Sequence, residues 1–182
     1  MWAQPAYGVC NSTMPDICDL VLEDHEQLRR GFAQLDDLRA AGTSADDLGA
    51  VWQPLGDHLD LHAAAEEEIF YPELLSVGRR AEEETDDAIK DHNQIRDAVA
   101  RAAGEAPGSD GWWAAVTAAR KANSDHIAEE ERGALADLRA TASPEQRQRL
   151  GTAWAVFHGR HRDGRNIDRT DKSPEQYVQD NT

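Results

Sequence analysis

The chain states one pattern twice. Leu22-Glu23-Asp24-His25-Glu26-Gln27-Leu28-Arg29 returns as Ile89-Lys90-Asp91-His92-Asn93-Gln94-Ile95-Arg96, an offset of 67 (92 − 25). His62 and Glu66 return as His126 and Glu130, an offset of 64 (126 − 62). Each half therefore reads His, then His-x-x-x-Glu. A His and a Glu four residues apart project from the same face of a helix. A duplication kept for packing alone would preserve Leu and Ala positions. It would not need an imidazole and a carboxylate facing inward at matched places in both halves. Such groups are costly to bury unless they are paired or bound to a cation. Two helical hairpins related by a pseudo-twofold axis bring His25, His62, Glu66, His92, His126 and Glu130 to one place. Side chains of this kind, projecting from facing helices, are how a helix bundle holds a pair of metal ions.

His58 breaks the symmetry. It lies one turn before His62, so His58, His62 and Glu66 form a ladder at i, i+4 and i+8. Its counterpart in the second half is Ala122. Sharing the face of His62, it is a candidate seventh ligand. Glu67, Glu68, Glu129 and Glu131 adjoin the ligand positions but are rotated away from them, and are expected in solvent. His158 and His161 fall outside the repeat and are expected at the surface. Tyr71 lies near the end of the ligand helix, where ordinary packing is its expected role, as it is for Trp112, Trp113, Trp154 and Phe157.

Periodicity and punctuation predict helices throughout. Pro15-Asp16 opens a first helix, in which Ile17, Val21, Leu28, Phe32 and Leu35 form an apolar stripe that contains His25. Gly42-Thr43-Ser44 ends it, and Ser44 caps the next. The second helix is expected over 45–76, kinked or restarted at Pro54 and bent or frayed at Pro72. A third is expected over 80–103, a loop over 104–109 and a fourth helix over 110–141. Ser143-Pro144-Glu145 starts a shorter helix ending near Gly159. The tail from Gly164 is polar, and Ser173-Pro174-Glu175 can open one more turn. Short loops make successive helices antiparallel. Three segments are expected: an irregular arm over 1–14, a helical bundle over 15–142, and an extra helix with a polar tail over 143–182.

Charge narrows the function. With 19 Lys and Arg against 35 Asp and Glu, the formal net charge is −16. A phosphate backbone or an anionic membrane surface needs a basic face, so neither nucleic acid nor membrane is an expected partner. No run is apolar and long enough to span a bilayer, and the N-terminus lacks the pattern of a signal peptide. Two cysteines, Cys10 and Cys18, make neither a disulfide framework nor a four-thiolate site, so a reducing cytoplasm is the expected compartment.

Mixed imidazole and carboxylate ligation suits Fe, Mn or Zn and disfavours Cu(I). Six or seven inward ligands are too many for one zinc and suit two ions. Periodicity alone leaves iron and manganese both open. The set His25, His62-x-x-x-Glu66, His92 and His126-x-x-x-Glu130, with EEEIFYPEL following the second His, resembles the hemerythrin-like domain and its His-His-Glu pattern over roughly residues 16–141. The resemblance implies an all-α, up-down-up-down four-helix bundle. It implies two Fe ions joined by an oxo or hydroxo bridge, with Glu66 and Glu130 bridging as well. Invertebrate hemerythrins carry a second His one turn after the first on the third helix, where this chain has Arg96. His58 is the expected substitute.

Members of that family bind O2 reversibly, sense oxygen or iron, or react with peroxide or nitric oxide. The expected function is therefore binding of O2, peroxide or nitric oxide at a non-haem di-iron centre. Catalase-like or peroxidase-like turnover, nitric oxide chemistry and sensing through the tail are the alternatives. No nucleotide, flavin or haem motif is present, so electrons for turnover come from a partner protein.

Overall fold

The computed structural model describes residues 15–161 and 164–182, so the arm expected over 1–14 lies outside the described residues. Helix α1, Ile17–Ala41, is opened by Asp16, whose carboxylate accepts the Cys18 amide at 2.9 Å. It is closed by Gly42 at φ 64°, a left-handed position that glycine takes without steric cost, and the Gly42 N–H caps the carbonyls of Leu38 and Arg39. Ser44 caps α2, Ala45–Ala65. A π-helical turn over Glu66–Phe70 leads directly into α3, Tyr71–Val77. Next come α4, Ala81–Ala103, and α5, Asp110–Arg132. They are followed by α6, Ala134–Thr141, and by α7, Pro144–Arg160, which starts with a capping box between Ser143 and Gln146. Helix α8, Pro174–Asn181, ends the chain behind a Ser173 cap.

Two helices differ from expectation. The α-helix runs through Pro54 and breaks at Glu66 instead, where the Tyr71 N–H bonds the Glu66 carbonyl five residues back. One extra residue in a turn rotates everything beyond it by about 100°. Glu66 and Glu67 are consequently both buried, as are Phe70 and Tyr71 further on. The helix expected over 110–141 is divided at Gly133, whose backbone (φ −105°, ψ −90°) is not helical.

The apolar interior forms two clusters. One is built on Ile17, Val21, Phe70, Leu74, Ile89, Leu138 and Trp154. The other is built on Leu28, Leu35, Leu59, Ile95, Trp112 and Ile127. Along α1 the chain passes from the first cluster to the second, and α2 with its π turn returns. Helix α4 repeats the outward passage, and α5 followed by α6 makes the return. His25, His62, Glu66, His92, His126 and Glu130 fall at the crossing points and are all buried. A polar layer thus separates two halves of the core.

Helix α7 packs along α1 and against α2. Its closest approach is at Gly151, where a Cβ would overlap the Pro15 carbonyl oxygen and stand 2.8 Å from the Pro15 carbonyl carbon. Backbone cannot yield as a side chain end does. A Gly151→Ala variant is therefore expected to lose about 1–3 kcal/mol, the usual cost of overpacking. A denaturant midpoint equal to that of the parent protein would contradict this packing.

Candidate metal centre

Glu66 stands at the middle of the polar layer with no exposed surface. Its two oxygens face different imidazoles. Oε1 lies 3.0 Å from His62 Nε2 and 4.0 Å from His25 Nε2. Oε2 lies 3.1 Å from His92 Nε2 and 3.5 Å from His126 Nε2. Glu130 Oε2 is 3.1 Å from His25 Nε2, while its other oxygen accepts the Tyr71 hydroxyl at 2.9 Å. Ligand atoms thus gather in two groups, His25–His62–Glu66–Glu130 and Glu66–His92–His126, and Glu66 belongs to both. Glu130 faces the first group alone.

His58 is brought to neither group. Its Nε2 lies 3.5 Å from Asp24 Oδ2, beside His158. It lies one helical turn before His62, and at that level Asp24 of α1 stands beside it.

The chemistry of the cluster fits cations. A carboxylate can only accept, so the 2.8 Å contact of His92 Nδ1 with Glu67 Oε1 places a proton on Nδ1. The neutral ring then turns a lone pair, at Nε2, toward the centre. His25 is held in the same way by Glu131 Oε1 at 3.0 Å. Lone pairs and carboxylate oxygens facing one another repel. Indeed His25 Nε2, His62 Nε2, both Glu66 oxygens and Glu130 Oε2 are buried without a hydrogen-bond partner. Metal–ligand bonds of about 2.1 Å meeting at right angles put neighbouring ligand atoms about 3.0 Å apart. The close inner contacts, 3.0–3.1 Å, match that spacing.

Every one of the four imidazoles has a carboxylate on its outer nitrogen. Glu131 serves His25, and Glu67 serves His92. Asp24 lies 3.5 Å from His62 Nδ1, and Asp91 lies 3.9 Å from His126 Nδ1. These partners orient a metal-binding imidazole and raise its basicity. They obey the repeat: the residue before each first His serves the second His of its own half, and the residue after each Glu crosses to the other half. Arg29 and Arg96, also repeat mates, back the crossing carboxylates at 2.8 Å and 2.6 Å.

Glu67 and Glu131 are therefore not solvated side chains. The π turn swings Glu67 inward, and Glu131 reaches back over α5 to α1. His158 is not a free surface group either: its ring stacks on Trp154, 4.8 Å between centroids, and faces Asp24. Trp154 in turn meets the His62 ring edge-on at 5.8 Å. The signal for the outer carboxylates was present in the repeated Asp-His pairs, Asp24-His25 and Asp91-His92. The signal for the π turn was not.

The tail is wired to the same layer. Lys172 Nζ stands 2.7 Å from Glu67 Oε2, and the Tyr177 hydroxyl donates to the Glu67 carbonyl at 2.5 Å. Asn93 clamps the Lys172 backbone on both sides, at 2.8 Å and 3.0 Å.

Without a cation, protons supply the positive charge. Burial favours the neutral form of His62, but the Glu66 carboxylate beside it prevails and lifts the imidazole well above its usual range. Burial likewise favours neutral Glu66, and the surrounding imidazoles overcome it and hold the carboxyl well below its range. Glu67 behaves similarly: against burial, His92 and Arg96 bring it down to about 2. Tyr71 is driven upward by burial and by Glu130, so it keeps its proton. A bound cation must displace the imidazole protons, so retention weakens as pH falls.

A pocket of about 260 Å3 reaches the layer at Tyr71, His126 and Glu130, and around it Glu83, Glu84, Asp87, Asp91 and Glu129 outnumber Arg80 and Arg132. A rim of this charge admits cations and neutral molecules and repels anions.

Fold and site together define an all-helical protein whose buried His and Glu clusters suit metal cations. Residues 16–138 match the hemerythrin HHE cation binding domain, and the chain belongs to that family. Comparison with curated proteins and with solved structures returned no match. Helices α7 and α8 lie beyond the matched residues.

Glu67→Gln retains the shape of the side chain but removes the charge that sets the His92 proton. Metal affinity is expected to fall about 10–100-fold, as is typical for such outer partners, with helical content unchanged. Competition against a chelator measures it, and parent-like retention would sink the assigned role of Glu67.

Proposed function

We propose that this chain is a non-haem di-iron protein that binds O2, or a relative such as peroxide or nitric oxide, inside an up-down-up-down four-helix bundle over 15–142. The observation that carries this reading is Glu66, whose two oxygens face two separate imidazole groups. The alternating passage of α1, α2, α4 and α5–α6 between the two apolar clusters supports the topology. Residues 143–182 form an extension that braces α1 and the outer partners.

His25, His62 and Glu130 would hold one ion and His92 and His126 the other, with Glu66 belonging to both groups. Two iron ions, when bound, supply the electrons and the open positions for a small ligand. The chain's own groups do the rest. Glu67 and Glu131 fix the tautomers of the His92 and His25 rings, and Asp24 and Asp91 face the outer nitrogens of the other two. Val21, Leu28 and Ile95 are buried beside the layer and slow the entry of water. Fewer residues form the second group, and the pocket reaches both groups, at Glu130 and at His126. Its acidic rim favours neutral ligands over anionic ones.

One observation favours turnover as a second reading. The Tyr71 hydroxyl lines the pocket, keeps its proton and is hydrogen-bonded to Glu130. A neutral hydroxyl at that place can hydrogen-bond and orient a peroxide in the pocket. Tyr71→Phe is expected to slow oxygen evolution from peroxide at least tenfold if turnover is the function, and to leave reversible O2 binding in place if it is not.

The test of the main reading is metal content and the visible spectrum of fresh protein with and without O2. About two irons per chain and an absorption lost under vacuum are expected. Glu66→Ala should lower iron content and melting temperature together, because the remaining buried ligands lose the shared carboxylate. Unchanged iron stoichiometry in that variant rules out the joining role.

A further inference from the structure

A third group of ligand atoms lies outside the central layer. Asp24 of α1, His58 of α2 and His158 of α7 bring one oxygen and two nitrogens within 4.8 Å of one another. Asp24 Oδ2 is 3.5 Å from His58 Nε2 and 3.4 Å from His158 Nε2. Neither Asp24 Oδ2 nor His158 Nε2 has a hydrogen-bond partner, though both atoms are buried and the Asp24 residue is 7 % exposed. We propose that Asp24, His58 and His158 form a third, outer binding site for a divalent first-row cation, with solvent completing its coordination.

The spacing carries the argument. Four bonds of about 2.0–2.1 Å in a tetrahedral arrangement set neighbouring ligand atoms about 3.3–3.4 Å apart. That is longer than a good hydrogen bond and close to what Asp24 shows toward both imidazoles. Two imidazoles and one carboxylate with an open fourth position are a familiar donor set for zinc and its neighbours. The site opens on a pocket of about 560 Å3 that Gln27, Gln53 and Asp57 also line.

The ligands are held in place by neighbours. Stacking on Trp154 directs the His158 ring toward Asp24. Asp24 also lies 3.5 Å from His62 Nδ1, so one carboxylate links the outer site to the inner layer. The second half of the chain has no equivalent. Ala122 replaces His58, and Asp91 lies beside the His126 imidazole, where Asp24 lies beside those of His58, His62 and His158. His158 belongs to α7, beyond the family match. The outer site is thus an addition of this chain to the repeated plan, and it does not depend on which ions fill the inner layer.

The test uses the whole protein as purified, its bound metal counted first, titrated calorimetrically with Zn2+. One further equivalent per chain is expected, with no release of the metal already present. His58→Ala and His158→Ala each replace a half-buried side chain and should preserve the fold. Each is expected to weaken zinc binding more than about 100-fold, since losing a ligand costs more than losing an outer partner. Inner metal content should stay at the parent value in both. Zinc uptake equal in parent and variants, no uptake by the parent, or uptake only as inner metal leaves would each overturn the proposal. So would loss of inner metal in His158→Ala.

Discussion

A carboxylate with no exposed surface, surrounded by four imidazoles, cannot rest without positive charge. Glu66 is that carboxylate. The two apolar clusters on either side exclude the water that would otherwise solvate it. Removing water makes each unpaired polar atom expensive, and the same removal makes a bound cation strongly held. Fold and ligand preference are therefore one problem. The bundle closes around a layer that is costly when empty of charge and stabilising when charged.

The solution is built outward in shells that follow the repeat. Imidazoles meet the centre, carboxylates meet the outer ring nitrogens, and Arg29 and Arg96 meet two of the carboxylates. The crossing of Glu67 to His92 and of Glu131 to His25 ties the two halves together. Neither half can orient its own first imidazole alone. That interdependence gives a physical reason for keeping the duplicated segments alike well beyond their metal-facing residues.

Symmetry is then broken by what packs on the outside. Helix α7 covers the first half and brings Trp154 against His62 and His158 against Asp24. The tail covers the second half and brings Lys172 and Tyr177 to Glu67. Arg96 is consequently buried while Arg29 remains exposed at its edge. The two sides of one centre end with different surroundings, and different reactivity is the expected result.

Much of this was legible in the residues. Ser44, Ser143 and Ser173 marked helix starts that the structure has, because a cap is a contact between near neighbours. The inward faces of His25, His62, Glu66, His92, His126 and Glu130 followed from helical spacing and from a pattern written twice. The π turn did not, since one added residue in a turn reflects what the centre requires of Glu66, not any local preference of Glu-Glu-Glu-Ile-Phe. The direction of His58 did not, since spacing along α2 cannot report that Asp24 of another helix lies in its path. His158 and Lys172 were the least readable. Their distance along the chain from Asp24 and Glu67 carries no periodic signal, and only the docking of α7 and the tail brings them there. Local chemistry and repetition specify helices and the faces they present; which side chains from separate helices meet is settled when those faces pack.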